Sequence, residues 1–156
     1  MQEIISIFSL KVVKESCEKY NVPKRIKSPE DVYIIFQEVL DLKNEPEEKF
    51  CMLTLDTKNA VTGLFIVSHG ILNLTTIHPR EVFKRALLQN AYAIIVCHNH
   101  PSGDCTPSKD DLLLTDRLIE AGKIIGIPVL DHIIIGNDYN IIGDHYISFK
   151  QKGYCF

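Results

Sequence analysis

Hydrophobic positions along the chain follow two periods, one typical of helices and one typical of strands, and the two kinds of segment alternate. Apolar residues recur at helical spacing after each of three helix-start signals, which are Ser28-Pro29, Pro79 and Ser108. The first helix is expected to end near residue 42 and the third near residue 123. Short apolar runs predict strands at about residues 50–55, 60–68, 91–98, 127–135 and 146–149. This order predicts an α/β fold of mixed α+β type, with a central sheet flanked by helices.

The domain organisation predicted from the sequence is simple. Ile5, Ile7 and Val13 with interleaved polar residues suggest a strand, so residues 1–27 are interpreted as an N-terminal strand and linker segment. Residues 28–156 are interpreted as one domain, since no shift in composition marks a boundary within them. No apolar run approaches the roughly 20 residues that span a bilayer, and the start of the chain lacks the basic region of a signal peptide.

Composition and charge narrow the class of protein. Hydrophobic residues make up 46% of the chain and charged residues 24%, which is ordinary for a globular protein. A net charge of −3 argues against direct binding of nucleic acid, which needs a basic face. The small basic cluster at Lys24, Arg25 and Lys27 is interpreted as a solvated loop. Five cysteines without a C-x-x-C motif argue against a disulfide framework, so we expect a cytoplasmic protein without membrane contact.

A metal site is predicted where the apolar strand before His98 ends. His98 and His100 are two residues apart, so an extended strand directs both imidazoles to the same side. Pro101 and Gly103 then break the strand, and a helix starting near Ser108 places Asp111 in its first turn. Two imidazoles and one carboxylate suit Zn²⁺, and a fourth position stays available for water, as at catalytic zinc sites.

The same residues carry a family resemblance. His-x-His, seven residues, Ser, two residues and Asp resemble the JAMM motif of JAB/MPN-domain metallopeptidases. The segments 78–83, 98–103, 107–108 and 130–132 together resemble the JAB domain of bacterial RadC-like proteins over roughly residues 28–149. RadC-like proteins usually carry a helix-hairpin-helix region before this domain, and no such pattern precedes Ser28, so a JAB-only version is expected.

The resemblance implies roles for two further residues. Ser108 matches the family serine that helps to stabilise the oxyanion, a role that requires a donor aimed at developing negative charge. A glutamate from the strand after the first helix acts as general base in the family, and Glu48 is the residue chosen for that role here. Glu47 is its main competitor, because the register at the start of a strand is uncertain by a residue or two. Glu81, in the first turn of a helix, is the third candidate.

Several alternatives remain open at this stage. Ser108 and Asp111 also fit a capping box, which is compatible with a ligand role for Asp111, whereas Asp110 should point elsewhere. Asn99 should face away from the metal, and Asp104 is a weaker ligand candidate. Two features have no assigned role: Cys105 is a bystander, an extra ligand or an oxidation-sensitive thiol, and Asp131-His132 is either a core pair or a pair that orients a ligand.

The resemblance therefore implies a zinc-dependent metallohydrolase, a peptidase or isopeptidase of JAMM type acting on a peptide or protein. The alternative is a RadC-like factor associated with DNA repair or mobile elements and without hydrolase activity, as the historical family label suggests. The acidic balance of charge weighs against the direct DNA binding that this alternative would favour. Neither the substrate nor the oligomeric state follows from the sequence.

Overall fold

The fold is described from a computed structural model, which covers residues 5–6, 9–16, 18–70, 77–136 and 145–156. Within these described residues the chain forms four α-helices and five strands, with a 3₁₀ helix at Leu42–Asn44. The helices are α1 (Pro29–Leu40), α2 (Pro79–Leu88), α3 (Lys109–Ile125) and α4 (Phe149–Lys152). The strands are β1 (Lys49–Leu55), β2 (Val61–His69), β3 (Ala93–Asn99), β4 (Val129–Ile135) and β5 (Tyr146–Ser148). The predicted mixed α/β class with a helix-flanked sheet is confirmed.

The helix boundaries follow from local capping chemistry. Ser28 caps α1 and forms a capping box with Asp31, and proline occupies the first helical position. Ser108 and Asp111 form the same arrangement at the start of α3. Gly126 ends α3 with φ of +83°, a left-handed conformation that glycine adopts without steric cost. These signals are contained within a few residues of sequence, which is why the predicted helix starts agree with the observed ones, whereas α1 ends at Leu40 and α3 at Ile125 rather than near residues 42 and 123.

The five strands form one mixed sheet in the order β2-β1-β3-β4-β5. Strand β1 pairs antiparallel with both β2 and β3, and β4 pairs antiparallel with β5. Strands β3 and β4 are parallel and are connected through α3. The carboxyl end of β3 therefore lies next to the amino-terminal end of β1, where Phe50 pairs with His98.

Each face of the sheet packs against its own helices. Alternate residues of β1 and β3, including Met52 and Val96, pack with α2 and α3 in one apolar cluster. The intervening residues, including Cys51 and Cys97, pack with α1 in a second cluster. His98 stacks on Phe50, which belongs to the first cluster, so its ring lies on the α3 face of the sheet. This division decides which side chains of the strand end can reach the start of α3.

Two details differ from the sequence-based expectations. The described residues before residue 24 have neither helix nor strand; Ile5 and Val13 are exposed there, and Ile7 lies outside the described residues. The last predicted strand ends at Ser148, because Ser148 caps the short helix α4 and accepts a hydrogen bond from the backbone of Gln151. Among the described residues, no helix has the length and apolar character needed to cross a bilayer.

Candidate metal centre

The end of β3 brings two histidines to the α3 face of the sheet. His98 is completely buried within the strand, and His100 follows it immediately after the strand ends. The backbone N–H of His100 donates to the carbonyl of Ile135 at 2.8 Å, which fixes the chain against the end of β4. The backbone then turns back, and the N–H of Gly103 donates to the carbonyl of His100. His100 is thereby held at a fixed distance from His98.

The carboxylate of Asp111 reaches these histidines from the first turn of α3. Its Oδ2 atom accepts the backbone N–H of Ser108 at 2.7 Å, and the hydroxyl of Ser108 accepts the backbone N–H of Asp111 at 3.1 Å. The side chain of Asp111 is only 2% exposed. The capping box and the cluster of ligating groups therefore share one carboxylate, and the cap restricts the rotation of that carboxylate.

The three side chains converge through their ring nitrogens and carboxylate oxygens. The Nε2 atoms of His98 and His100 lie 3.0 Å apart. Asp111 Oδ1 lies 3.3 Å from Nε2 of His98, and Oδ2 lies 3.5 Å from Nε2 of His100. The ligand atoms of the group all lie within 4.8 Å of one another, and Asp110 is not part of it.

This donor set fits a metal ion of the zinc type. Zinc bonds of about 2.0–2.1 Å in a tetrahedral arrangement place neighbouring ligand atoms about 3.3 Å apart, close to the separations found here. Imidazole nitrogen and carboxylate oxygen are both ordinary zinc ligands. Three protein ligands leave one tetrahedral position for a water molecule or a substrate atom, the arrangement of catalytic sites. The residues can thus hold a metal ion, and its identity is not determined by their geometry alone.

The ionisation of the cluster reflects burial and mutual hydrogen bonding. Burial lowers the pKa of His98, because the charged imidazolium would lose its hydration. Burial also opposes charge on His100, but hydrogen bonds to Asp111 and to the backbone of Asp104 outweigh it and raise the pKa of His100. Burial would raise the pKa of Asp111, yet the imidazoles of His100 and His98, which can donate to this carboxylate when protonated, and the backbone N–H of Ser108 hold that pKa well below its usual range. Asp111 is therefore an anion at neutral pH.

A third histidine lies directly behind His98. Nδ1 of His98 is 2.8 Å from Nε2 of His132, which is buried on β4. On the other side of the His132 ring, Nδ1 lies 2.6 Å from the hydroxyl of Thr115 on α3. That hydroxyl donates to the carbonyl of Asp111 at 2.6 Å. A continuous hydrogen-bonded chain thus runs from one candidate ligand through His132 and Thr115 to the backbone of another, and no pattern in the sequence indicates this role of Thr115.

The two residues of the Asp131-His132 pair have separate roles. The carboxylate of Asp131 accepts hydrogen bonds from the hydroxyl of Ser148 and from the backbone N–H of Lys150, so it anchors the start of α4. Burial raises the pKa of Asp131. Only His132 contacts a ligand, because alternation along β4 sends the two side chains to opposite faces of the sheet.

Two residues of the loop between the ligands do not join the cluster. The backbone carbonyl of Asp104 lies 2.6 Å from Nδ1 of His100, whereas its carboxylate accepts the backbone N–H of Thr106. Asp104 thus orients a ligand through its carbonyl. The sulfur of Cys105 lies close to Gly136, so that a Cβ atom added at residue 136 would be only 2.5 Å from it. Cys105 is not part of the ligand group.

The position of the acidic segment before β1 distinguishes the candidate bases. Burial raises the pKa of the half-buried Glu48, and the nearby charges of His100 and Asp111 act on it in opposite directions. Glu48 therefore lies within electrostatic reach of the cluster. Glu47 is exposed and forms an ion pair of 3.1 Å with His69, at the end of β2. The two glutamates thus differ: Glu47 is exposed and paired with His69, whereas Glu48 is half-buried and feels the charges of His100 and Asp111.

The side chain of Asn99 holds this segment in place. Asn99 lies between the two ligand histidines in sequence, is 1% exposed, and points away from the cluster as expected. Its Oδ1 accepts the backbone N–H of Lys49 at 2.8 Å, and its Nδ2 donates to the carbonyl of Glu47 at 3.1 Å. These two contacts flank Glu48 on both sides. The sequence offers no local signal for this role.

The remaining candidates have clear positions. Glu81 forms ion pairs with Arg80, Lys84 and Arg85 on α2, and the hydrogen bond from Lys84 lowers its pKa. Glu81 is thus paired with basic side chains of its own helix. Ser108 is exposed at the mouth of the site, and its oxygen accepts the N–H of Asp111, which leaves its O–H proton for donation.

Comparison with known proteins identifies the family. Residues 26–154 match the RadC-like JAB domain, so the chain belongs to the RadC-like JAB domain family. A UPF0758 protein of Methanosarcina mazei is 46% identical over 133 residues, covering 85% of this chain and 55% of the relative. A UPF0758 protein of Desulforamulus reducens is 50% identical over 128 residues, covering 82% and 53% respectively. The chain spans about half the length of these curated relatives.

Proposed function

We propose that this protein is a zinc-dependent hydrolase of JAMM type that cleaves an amide or isopeptide bond in a peptide or protein. The observation that carries the proposal is the convergence of His98 Nε2, His100 Nε2 and the Asp111 carboxylate at separations of 3.0–3.5 Å. Membership of the RadC-like JAB family supports it, since JAB/MPN-type domains often have hydrolase activity.

The site contains the groups that such a reaction needs. A zinc ion bound there would act as a Lewis acid and bring the pKa of a water molecule to near 7. Glu48 accepts a proton from the attacking water and delivers it to the leaving amine, which requires a carboxylate next to the ligands. Its raised pKa suits this double role, because a base is most effective when its pKa approaches the working pH.

Ser108 completes the proposed site. Its oxygen accepts a hydrogen bond from the backbone N–H of Asp111. The direction of its hydroxyl proton is set by rotation about the Cβ–Oγ bond, so the proton can point towards a substrate. A donor at this position stabilises the oxygen of the scissile carbonyl as negative charge develops on it. Because Ser108 is exposed, this residue is accessible to a substrate that approaches from solvent.

Metal binding and hydrolysis together test the proposal. Purified protein supplied with zinc should bind about one equivalent by elemental analysis and calorimetry, and His98→Ala and His100→Ala should each lose this stoichiometric binding. His69→Ala is the matched control, since His69 lies at the end of β2 and pairs with Glu47. The zinc-loaded protein should then cleave members of a peptide and isopeptide library that His98→Ala leaves intact. Zinc binding without cleavage of any library member would count against the hydrolase.

A further inference from the structure

The hydrogen-bonded chain behind the metal centre constrains where protons are located. The hydroxyl of Thr115 carries one proton and lies 2.6 Å from two groups, the carbonyl of Asp111 and Nδ1 of His132. A carbonyl oxygen only accepts, so the hydroxyl proton belongs to that bond. Thr115 must then accept a proton from His132, which places a hydrogen atom on Nδ1 of His132.

The positions of the protons on the imidazole of His132 decide which nitrogen of His98 carries a proton. The ring of His132 is completely buried, and its two nitrogens contact a hydroxyl and another imidazole, so among the described residues no carboxylate hydrogen-bonds the ring to stabilise a charge on it. A neutral His132 with its proton on Nδ1 has a lone pair on Nε2. This atom lies 2.8 Å from Nδ1 of His98, which must therefore donate.

We propose that His132 and Thr115 are positioning residues that hold His98 in the tautomer with a proton on Nδ1 and a lone pair on Nε2. Nε2 of His98 is the atom that faces His100 and Asp111. The other ligand histidine is held in the same tautomer by a different group, the carbonyl of Asp104, which accepts from Nδ1 of His100 at 2.6 Å. Because Nδ1 of each ring is engaged as a donor, Nε2 is the nitrogen of both candidate ligands that is left to bind a metal ion.

The arrangement also links the two ligands that come from different elements. Thr115 lies one helical turn after Asp111 on α3, and its hydroxyl bonds the Asp111 carbonyl while it accepts from His132 on β4. The contact of His132 with His98 on β3 completes the connection. A hydrogen-bonded ligand imidazole is fixed in ring orientation as well as tautomer, and loss of such partners typically costs 10–100-fold in metal affinity.

The direct test reads the tautomers by NMR. Long-range proton–nitrogen spectra of metal-free protein with ¹⁵N-labelled histidine distinguish the two tautomers, at a mildly alkaline pH where ordinary imidazoles are neutral. Substitution of individual histidines assigns the signals. We expect His98 and His132 to carry their protons on Nδ1. A proton on Nε2 of His98, or a doubly protonated His132, in the wild-type protein would overturn the proposal.

Substitution of Thr115 provides the second readout. Thr115→Val keeps the shape but removes the hydroxyl, so it should shift His98 towards a mixture of tautomers and weaken zinc binding by roughly 10–100-fold. Thr115→Ser retains the hydroxyl and should restore both. Equal zinc affinity in Thr115→Val, Thr115→Ser and wild type would contradict the proposal. If Thr115→Val does not fold, the wild-type tautomers still decide, and neither measurement depends on the protein being a hydrolase.

Discussion

The side-chain oxygen of Asn99 accepts a hydrogen bond from the backbone N–H of Lys49 at 2.8 Å, across 50 residues of sequence. The amide nitrogen of the same side chain donates to the carbonyls of Glu47 and Glu45, at 3.1 and 3.4 Å. Strand alternation sends this side chain to the face opposite the ligand histidines. One tripeptide therefore supplies two candidate metal ligands on one face of the sheet and fixes the backbone around Glu48 from the other.

Removal of this side chain should destabilise the protein without emptying the metal site. Asn99→Ala leaves buried or partly buried backbone groups without partners, so the free energy of unfolding should fall by about 1–3 kcal/mol. Urea denaturation measures this change, and calorimetry with zinc should show stoichiometric binding. Asn44→Ala is the control, because the side chain of Asn44 donates to the exposed carboxylate of Asp41 and its removal should change stability by less than about 0.5 kcal/mol. An Asn99→Ala protein as stable as wild type would show that the contacts contribute little.

Chelation should leave the fold intact. The two apolar clusters pack on both faces of the sheet without using the ligand side chains. Far-UV circular dichroism should therefore be nearly unchanged by a chelator, and the melting temperature should fall only as far as the loss of zinc binding requires. His98→Ala, which we expect to bind no zinc, should not respond to the chelator. Cooperative unfolding on chelation alone would mean that the metal is structural.

Local signals explain how much could be predicted from the sequence. The capping boxes at Ser28 and Ser108 are complete within four residues, so the starts of α1 and α3 were predictable. The spacing of His98 and His100 predicted their common side for the same reason. Asp111 is the acidic residue of the capping box at Ser108, so the predicted start of α3 also placed this third candidate ligand near the histidines.

Non-local contacts account for what the sequence did not predict. Thr115 contacts His132 across 17 residues, and His132 contacts His98 across 34, through the parallel pairing of β3 with β4. Neither register nor the identity of neighbouring strands follows from periodicity alone. A threonine inside an amphipathic helix carries no sign of such a contact, because its hydroxyl commonly bonds the preceding turn.

The choice between two adjacent glutamates is tested by matched substitutions. Glu48→Gln keeps size and polarity but cannot accept a proton, so hydrolysis should fall by roughly 10²–10⁴-fold while zinc binding persists. Glu47→Gln should be nearly silent, since Glu47 is exposed and pairs with His69. Steady-state rates on a cleaved library peptide measure both. Loss of activity in Glu47→Gln with a normal Glu48→Gln would place the base one residue earlier.

The pH dependence of hydrolysis should reflect the environment of Glu48. A base must be deprotonated to act, so activity is lost as pH falls through its pKa. Burial raises the pKa of Glu48, and the acid limb of kcat/KM should therefore lie above the value of about 4.3 for a solvated glutamate. Zinc content measured at each pH separates this limb from loss of metal. An acid limb at or below the solvated value, with zinc still bound, would exclude Glu48 as the base.

The central claim is that His98, His100 and Asp111 hold one zinc ion, and anomalous diffraction tests it most directly. Crystals grown with zinc, measured on both sides of the zinc absorption edge, should show one strong anomalous peak per chain. The peak should lie about 2.0–2.1 Å from Nε2 of both histidines and about 2.0–2.2 Å from an Asp111 oxygen. A map without a peak at these atoms, or with zinc bound only elsewhere on the protein, would contradict the assignment.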